Sequence, residues 1–181
     1  MKARVVIGTP AAQARVMQIV ANATYDREWT ASEVEEIRRM RYKMEDGAGA
    51  SNLKRGPGGV VDIEFVVQML QLVHGGKEPQ LRTPETLQGL IALHAAGRLL
   101  DEPFAFFSRA YHMLRSIEGR LRLLDAAARH DFPATEPEQL ALAHLLGYEQ
   151  ADALVKDVQS LTTQTRREFV AVFDREVAAL C

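Results

Sequence analysis

A nearly continuous apolar stretch, from about Val60 to His74, is the feature that most limits how this 181-residue chain can fold. Drawn as a helix, the stretch has apolar side chains around most of its circumference, and Gly75 and Gly76 then end it. A helix of that kind is stable in water only where other helices cover it. The stretch therefore predicts a central helix with the rest of the chain packed around it.

The remaining chain carries start and stop signals for six more helices. Thr30 and Glu33, for example, form a capping box of the kind that opens a helix. Helices are predicted to begin at Thr9-Pro10, Thr30, Thr83-Pro84, about Asp101, Thr135 and Ala151, the fourth of these running to about Ala128 and the last to Leu180. The sequence thus predicts an all-α fold, a helical bundle of about seven helices in a single domain over residues 1–181. The one candidate strand, Arg4 to Ile7, has no evident partner.

Helical spacing also predicts which side chains of the first two helices face the core. In the first helix they are Ala14, Met17, Val20 and Ala21. In the second they are Val34, Ile37, Met40 and Met44. Both helices are therefore expected to pack through an apolar side.

Charge and cysteine content exclude several classes of function. The formal net charge is -2, and we find no basic patch of the size that nucleic-acid binding needs. The only cysteine is Cys181, so a disulfide within the chain is impossible, which agrees with a reducing, cytoplasmic location. No apolar run approaches the length of a membrane span. We expect a soluble cytoplasmic protein that binds neither nucleic acid nor membrane.

A basic, glycine-rich loop leads directly into the apolar helix. Lys54 and Arg55 stand near Gly58 and Gly59 at a helix N-terminus, where unpaired N–H groups and the helix dipole favour an anion. These four residues are the candidate phosphate contacts. The spacing matches neither the Walker pattern nor the dinucleotide fingerprint. On residues alone, the favoured explanation is that the glycines simply allow a tight turn into a buried helix.

Two acids at the start of the helix, Asp62 and Glu64, resemble the paired carboxylates that hold magnesium in nucleotidyltransferases. On a helix, positions two apart point about 200° from each other, so the two do not bind one ion. Asp62 is explained as a first-turn partner of the helix dipole. Glu64 needs a partner such as an arginine, and it opens a polar stripe with Gln68 and Gln71.

No catalytic or metal-binding residue is assigned from the sequence. The five histidines lack ligand spacing, and no serine, cysteine or threonine lies in a nucleophile motif. Further along, Arg115, Glu118, Arg120 and Arg122 interrupt an apolar helical pattern, and Glu118 and Arg122 are suitably spaced for an ion pair. A solvated helix face is the favoured explanation, the alternative being a cluster that receives Glu64 or a phosphate.

Three motifs in order closely resemble the glutamine synthetase adenylyltransferase family. They are LKRGPGGVVDIEFVVQMLQL, LRTPETLQGLIALHAAGRLL and YHMLRSIEGRLRLLD. The similarity begins at KARVVIGTP and extends to the helix that ends near Phe173, so it covers nearly the whole chain. Members of that family attach AMP to glutamine synthetase and remove it by phosphorolysis. They carry two nucleotidyltransferase domains, each followed by an α-helical domain.

The resemblance implies a helical domain without a catalytic centre. The family's signature, a Gly-Ser turn followed by an Asp-x-Asp strand, is absent here, so we expect an excised domain or C-terminal fragment that is inactive alone. ATP and magnesium are then cofactors of the longer enzyme, and none is required by this chain. The implied partners are its own nucleotidyltransferase domain, glutamine synthetase and the nitrogen-signalling regulator protein. Val61-Asp62 resembles the adenylylating half, whereas HGGKEPQL and RSIEGRLRLLD resemble the adenylyl-removing half, and the choice stays open.

In such an enzyme, Lys54, Arg55 and the N–H groups of Gly58 and Gly59 are expected to approach the triphosphate or the transferred phosphoryl group. The polar stripe is expected to line the seam between the helical and catalytic domains. The alternative is a non-catalytic helical protein-interaction module. A purely structural bundle, unrelated to the family, predicts instead that the loop at residues 52–64 is disordered and tolerates charge reversal.

Overall fold

A computed structural model describes residues 3, 5–124 and 130–181. This part of the chain contains seven α-helices and a short 3-10 helix. The α-helices are α1 (Pro10–Tyr25), α2 (Ala31–Glu45), α3 (Val60–His74), α4 (Thr86–Ala95), α5 (Asp101–Leu124), α6 (Glu136–Leu145) and α7 (Ala151–Ala179). The 3-10 helix, Pro79–Leu81, lies between α3 and α4. No strand occurs among the described residues, and the predicted all-α class is confirmed.

Helix α3 lies at the centre of the bundle, as its composition predicts. It packs against α2, α4, α5 and α7. Its apolar side chains are buried on several sides, and Ile63, Val66, Met69 and Leu70 are wholly inaccessible to solvent. Burying each such side chain contributes about 1.5–3 kcal/mol before entropy is subtracted. Helix α3 is therefore the element around which the core is built.

Most helix starts lie where the capping signals place them. The Thr9 hydroxyl accepts the N–H of Ala12 at 3.3 Å, and Thr30 and Glu33 form the predicted capping box. The start predicted at Thr83-Pro84 is wrong, since α4 begins at Thr86. The reason is a side chain from α3, because Gln71 binds the carbonyl of Thr83 and keeps it in the connection.

Two further predictions concern chain segments near the described limits. The strand predicted from Arg4 to Ile7 falls partly outside the described residues, and residues 5–7 are in no strand. Helix α5 is described to Leu124, so the predicted extension through residues 125–128 also lies outside the described part. Among the helices that are described, none is long and apolar enough to cross a membrane.

Helix α1 is far more exposed than its apolar spacing predicts. Ala14 and Met17 were predicted to face the core and both are exposed, as are Val16 and Ile19. The helix reaches the bundle at its C-terminal end, where Tyr25 is its one buried residue. The predicted buried side of α1 therefore has no complementary surface along most of its length in the described chain.

Helix α2 also departs from prediction at two of four positions. Val34 is buried and Ile37 is partly buried, but Met40 and Met44 are 56% and 41% exposed. The helix instead turns Arg41, seven residues after Val34, into the interior. Two helical turns separate these positions, so they share a face. The methionines are exposed because a buried charge occupies the side they were predicted to share.

Candidate functional site

The basic loop, which we define as residues 52–59, leads into helix α3 and is held by several hydrogen bonds. The Asn52 side chain accepts the N–H groups of Lys54 and Arg55 at 3.2 and 2.8 Å, and it donates to Asp131 at 3.1 Å. Beside it, the Leu53 N–H donates to the His130 carbonyl at 2.8 Å. The segment before α6 thus holds the first half of the loop in place.

Gly58 lets the second half of the loop touch helix α7. Its φ is +72°, a left-handed value that favours glycine, and a Cβ placed there would lie 1.8 Å from the Thr162 carbonyl oxygen. No side chain fits into that gap. The tight turn predicted for the glycines is therefore present, and it serves a close approach between backbone segments.

The N–H groups predicted to bind phosphate are already bonded within the chain. Gly58 donates to the Asp62 carboxylate at 2.8 Å, and Gly59 donates to the Gly56 carbonyl at 3.1 Å. Both glycines are buried. A phosphate would have to displace these bonds to reach the two donors. The Lys54 side chain is partly buried and the Arg55 side chain is exposed. A phosphate can therefore contact these side chains without displacing the two backbone hydrogen bonds.

Behind the loop lies a set of four charged side chains, Arg41, Glu45, Asp62 and Arg166, which we call the buried ion-pair network. Arg41 Nε lies 2.5 Å from Asp62 Oδ1, and Arg166 Nε lies 3.1 Å from Asp62 Oδ2. These are ion pairs rather than well-aligned hydrogen bonds. Glu45 pairs with both arginines, and its Oε2 lies 3.2 Å from Arg41 Nη1. Two cations thus meet two carboxylates where α2, α3 and α7 join.

The network is connected directly to the loop backbone. Arg41 Nη2 donates to the carbonyls of Arg55 and Gly56 at 3.0 and 2.9 Å. Arg41 and Asp62 are both 0% exposed. Burial raises the pKa of Asp62, and the charges of Arg41 and Arg166 act against that rise. Asp62 is in the first turn of α3 as predicted, but its surroundings are those of a buried ion pair.

Sequence reasoning missed three members of this network, Arg41, Glu45 and Arg166. One signal was present in α2, because Arg41 follows Val34 by two helical turns and so falls on the apolar side. Glu45 follows Arg41 by four residues, which is the spacing of a helical ion pair. Arg166 is over a hundred residues from Asp62, and no local pattern connects them.

Lys54 and Arg55 have different surroundings although they are adjacent. Lys54 lines a small apolar cavity together with Glu118 and His130, whereas Arg55 is exposed. Glu118 pairs with Arg115, with Arg122 at 3.0 Å and with His130 at 3.5 Å. The predicted pair of Glu118 and Arg122 is therefore confirmed, but Glu118 itself is buried.

His130 completes this second cluster. Burial lowers the pKa of His130, and the positive charges of Lys54 and Arg122 act in the same direction. The negative charges of Glu118 and Asp131 oppose that effect. Lys54 is thus placed at a cluster of mixed charge, with more cationic than anionic side chains among the residues described.

The predicted polar stripe on α3 is divided by its burial. Glu64 and Gln68 are partly buried. Gln71 is buried, and its amide donates to the carbonyls of Leu81 and Thr83 at 2.7 and 2.9 Å. Gln71 therefore fixes the connection between α3 and α4. Only Glu64 and Gln68 keep the partial exposure that a seam with another domain requires.

Asp62 and Glu64 also have different surroundings, in agreement with their divergence on a helix. Asp62 is enclosed by two arginines, while Glu64 is partly exposed. In the described part of the chain, no three His, Cys, Asp or Glu side chains gather as they would around a metal ion.

Comparison with known proteins adds family membership. A family model described as GlnD PII-uridylyltransferase matches residues 30–174. A bifunctional glutamine synthetase adenylyltransferase/adenylyl-removing enzyme of Xanthomonas campestris pv. campestris (strain B100) is 33% identical over 99% of this chain, which covers 20% of that protein. The enzymes of the same name from Caulobacter vibrioides and Ralstonia nicotianae are 34% and 35% identical over 81% and 70% of this chain, and 16% and 13% of their own lengths.

The chain thus spans a fifth or less of the length of these relatives. Their shared name confirms the resemblance to glutamine synthetase adenylyltransferase that the three sequence motifs indicate. The family model covers most of the chain, including helices α2 to α6 and most of α7. On this match the chain belongs to the GlnD PII-uridylyltransferase family.

Proposed function

We propose that this chain acts as a helical domain of a longer adenylyltransferase, which transfers AMP from ATP to glutamine synthetase and removes it by phosphorolysis. The names of the relatives support this proposal. ATP and magnesium are bound by the nucleotidyltransferase domain, which also supplies the catalytic carboxylates. The helical domain assists by binding part of the nucleotide or the protein substrate. It works in the cytoplasm, with no nucleic acid or membrane as partner.

The observation that carries the proposal is the way the basic loop presents its two cations. The loop backbone is bonded to His130, Arg41 and Asp62, and the Asn52 side chain is bonded to Asp131, so the position of the loop is fixed before any ligand arrives. Cations held in place stabilise a triphosphate without the cost of ordering a mobile loop. Lys54 and Arg55 therefore approach the phosphates of the bound nucleotide, while the bonded N–H groups of Gly58 and Gly59 maintain the turn.

The same domain packs against its nucleotidyltransferase partner through side chains that are partly or fully exposed in this chain. Glu64 and Gln68 contribute polar contacts at the seam. The exposed apolar side chains of α1, among them Val16 and Ile19, offer a second surface that another part of the longer enzyme covers. A helix with exposed apolar residues gains stability when a partner removes them from water.

Substitution of the two loop cations in the longer adenylyltransferase tests the proposal. Lys54→Ala and Arg55→Ala are each expected to raise the KM for ATP about tenfold or more, since a charge-assisted hydrogen bond contributes about 1.5–3 kcal/mol. Arg167→Ala, which removes an exposed arginine of α7 that pairs with its neighbour Glu168, is the matched control and leaves the KM unchanged. Wild-type values for both loop variants, with normal folding, would contradict the proposal.

A second candidate, a non-catalytic helical protein-interaction module, is favoured by the exposed side of α1. It predicts that the chain binds glutamine synthetase or the nitrogen-signalling regulator protein but transfers no nucleotide. Incubation of the chain with glutamine synthetase and labelled ATP separates the possibilities. We expect no label on glutamine synthetase from the chain alone, and transfer would show that it is an enzyme by itself.

A further inference from the structure

We infer that the buried ion-pair network positions the basic loop, so that Arg41, Glu45, Asp62 and Arg166 set the directions in which Lys54 and Arg55 meet phosphate. The inference rests on the proposed function, because it assumes that the two loop cations contact the nucleotide. It adds four positioning residues that do not touch the nucleotide themselves. They act through the backbone of residues 55–58.

The contacts to that backbone come from both charges of the central ion pair. The cation, Arg41, donates to the carbonyls of Arg55 and Gly56. The anion, Asp62, accepts the N–H of Gly58. Three polar groups within four residues of the loop are thus bonded to one pair of side chains. A shift of the pair changes the direction in which Lys54 and Arg55 point, because both belong to the same short loop.

Helix α7 supplies the rest of the support. Arg166 pairs with Asp62 and Glu45, and its guanidinium also lies over the rings of Tyr42 and Phe169, 5.3 Å from each ring centroid. One turn earlier, the Thr162 carbonyl is where Gly58 meets the helix. The loop is therefore held between α7 on one side and the Arg41 and Asp62 side chains on the other.

Stability alone does not explain four charges at this place. Replacing a buried ion pair by well-packed apolar side chains is often neutral or stabilising. Apolar side chains, however, cannot bond the carbonyls of Arg55 and Gly56 or the N–H of Gly58. What the network provides beyond packing is a fixed path for this part of the loop, and Lys54 and Arg55 are the residues whose direction that path determines.

Limited proteolysis of this chain tests the inference without any nucleotide. Trypsin cleaves after Lys54 and Arg55, and a loop held by the network resists it. Arg41→Gln is expected to increase the cleavage rate at these two bonds at least tenfold, with Glu45→Gln giving a smaller increase. Arg38→Gln is the matched control, because Arg38 lies on the same helix and pairs with Glu35 and Asp174 without contacting the loop.

Folding of each variant is checked by circular dichroism before cleavage is compared. If Arg41→Gln does not fold, Glu45→Gln decides the matter, since Glu45 lies at the partly exposed edge of the network. Cleavage at the wild-type rate in a folded variant would overturn the inference. Equal acceleration in Arg38→Gln would also overturn it, because loosening would then be unspecific.

A second measurement uses the longer adenylyltransferase and separates positioning from general damage. Arg41→Gln is expected to raise the KM for ATP at least threefold with little change in kcat, whereas partial unfolding lowers the amount of active enzyme and therefore the apparent kcat. In a background that already lacks Lys54 and Arg55, the same change should have no further effect on KM. An undiminished effect there would contradict positioning of those two cations.

The two measurements fail separately. If Lys54→Ala and Arg55→Ala leave the KM for ATP unchanged, the proposed function is wrong, while protection of the loop from trypsin still reports on the network. If the loop variants raise KM but Arg41→Gln and Glu45→Gln neither expose the loop nor change KM, the proposed function stands and the positioning inference is wrong.

Discussion

Two charged clusters flank the basic loop, and they differ in what surrounds them. Around Asp62, both side chains of the ion pair with Arg41 are inaccessible to solvent. Around Glu118, the carboxylate is buried but Arg115 and Arg122 are 49% and 55% exposed. An exposed ion pair contributes about 0–1 kcal/mol, whereas removing one partner of a buried pair costs about 3–5 kcal/mol. The two clusters therefore differ in the burial of their cations, and the larger loss of stability is expected where both partners are buried.

Matched neutral substitutions give the largest expected contrast between the clusters. Asp62→Asn should lower the free energy of unfolding by about 3–5 kcal/mol, since it removes the anion of the fully buried pair and leaves Arg41 and Arg166 with Glu45 as their one remaining carboxylate. Glu118→Gln should cost about 1 kcal/mol or less, because its arginines can turn to solvent. Urea unfolding followed by circular dichroism measures both. Equal losses would show that exposure of the arginines does not distinguish the clusters.

Glycine substitution sharpens the comparison at the contact between loop and helix. Gly58 and Gly97 have nearly the same φ, +72° and +69°, but only Gly58 would place a Cβ against another backbone segment, and nothing lies within 4 Å of a Cβ at Gly97. Gly97→Ala should therefore cost about 1 kcal/mol, the strain of the left-handed conformation. Gly58→Ala should cost at least about 2 kcal/mol, since α7 must also move.

The same urea measurements decide this second comparison. The difference between the two alanine variants isolates the contact with Thr162, because their backbone strain is similar. Identical losses would mean that the loop and α7 separate at little cost, and the close approach of Gly58 would then not help to fix the loop.

The smallest expected effect concerns pH and belongs to the Glu118 cluster. The pKa of His130 is lowered from its ordinary value of 6.5, so between the two values the unfolded chain binds more protons than the folded chain. Stability should therefore fall as the pH drops below about 6.5. His130→Asn should reduce the fall in the urea midpoint between about pH 7 and pH 5. An unchanged pH dependence would show that His130 does not contribute.

Much of the fold was predictable because its signals are local. The capping residues and the apolar composition of α3 indicate where helices lie, and each of these signals can be read from residues that are close together in the sequence. Gln71 shows where local reasoning ends, since its amide bonds a connection ten residues later and so prevents the helix start predicted at Thr83. The exposure of Met40 likewise follows from the interior position of Arg41, whose place on the side of Val34 is a local signal but whose buried partner Asp62 belongs to another helix.

The candidate site was predictable in part for the same reason. Lys54, Arg55 and the glycines are adjacent in sequence, so the loop and its charge were visible. Their support was not, because Arg41, Asp62 and Arg166 come from three helices and meet only through tertiary packing. The hydrogen bonds made by the N–H groups of Gly58 and Gly59 could not be predicted from the sequence either. These bonds show that the two glycines maintain the turn.

The position of Arg166 on the last helix has a consequence for the order of assembly during protein synthesis. Arg41, Glu45 and Asp62 leave the ribosome about a hundred residues before Arg166, so the early part of the chain contains two of these carboxylates and one of the arginines. Contacts between residues so distant in sequence form late, after intervening segments have collapsed. We therefore expect the basic loop to acquire its final geometry only when α7 docks, and a chain truncated before α7 would carry Lys54 and Arg55 without the α7 contacts that complete the support of the loop.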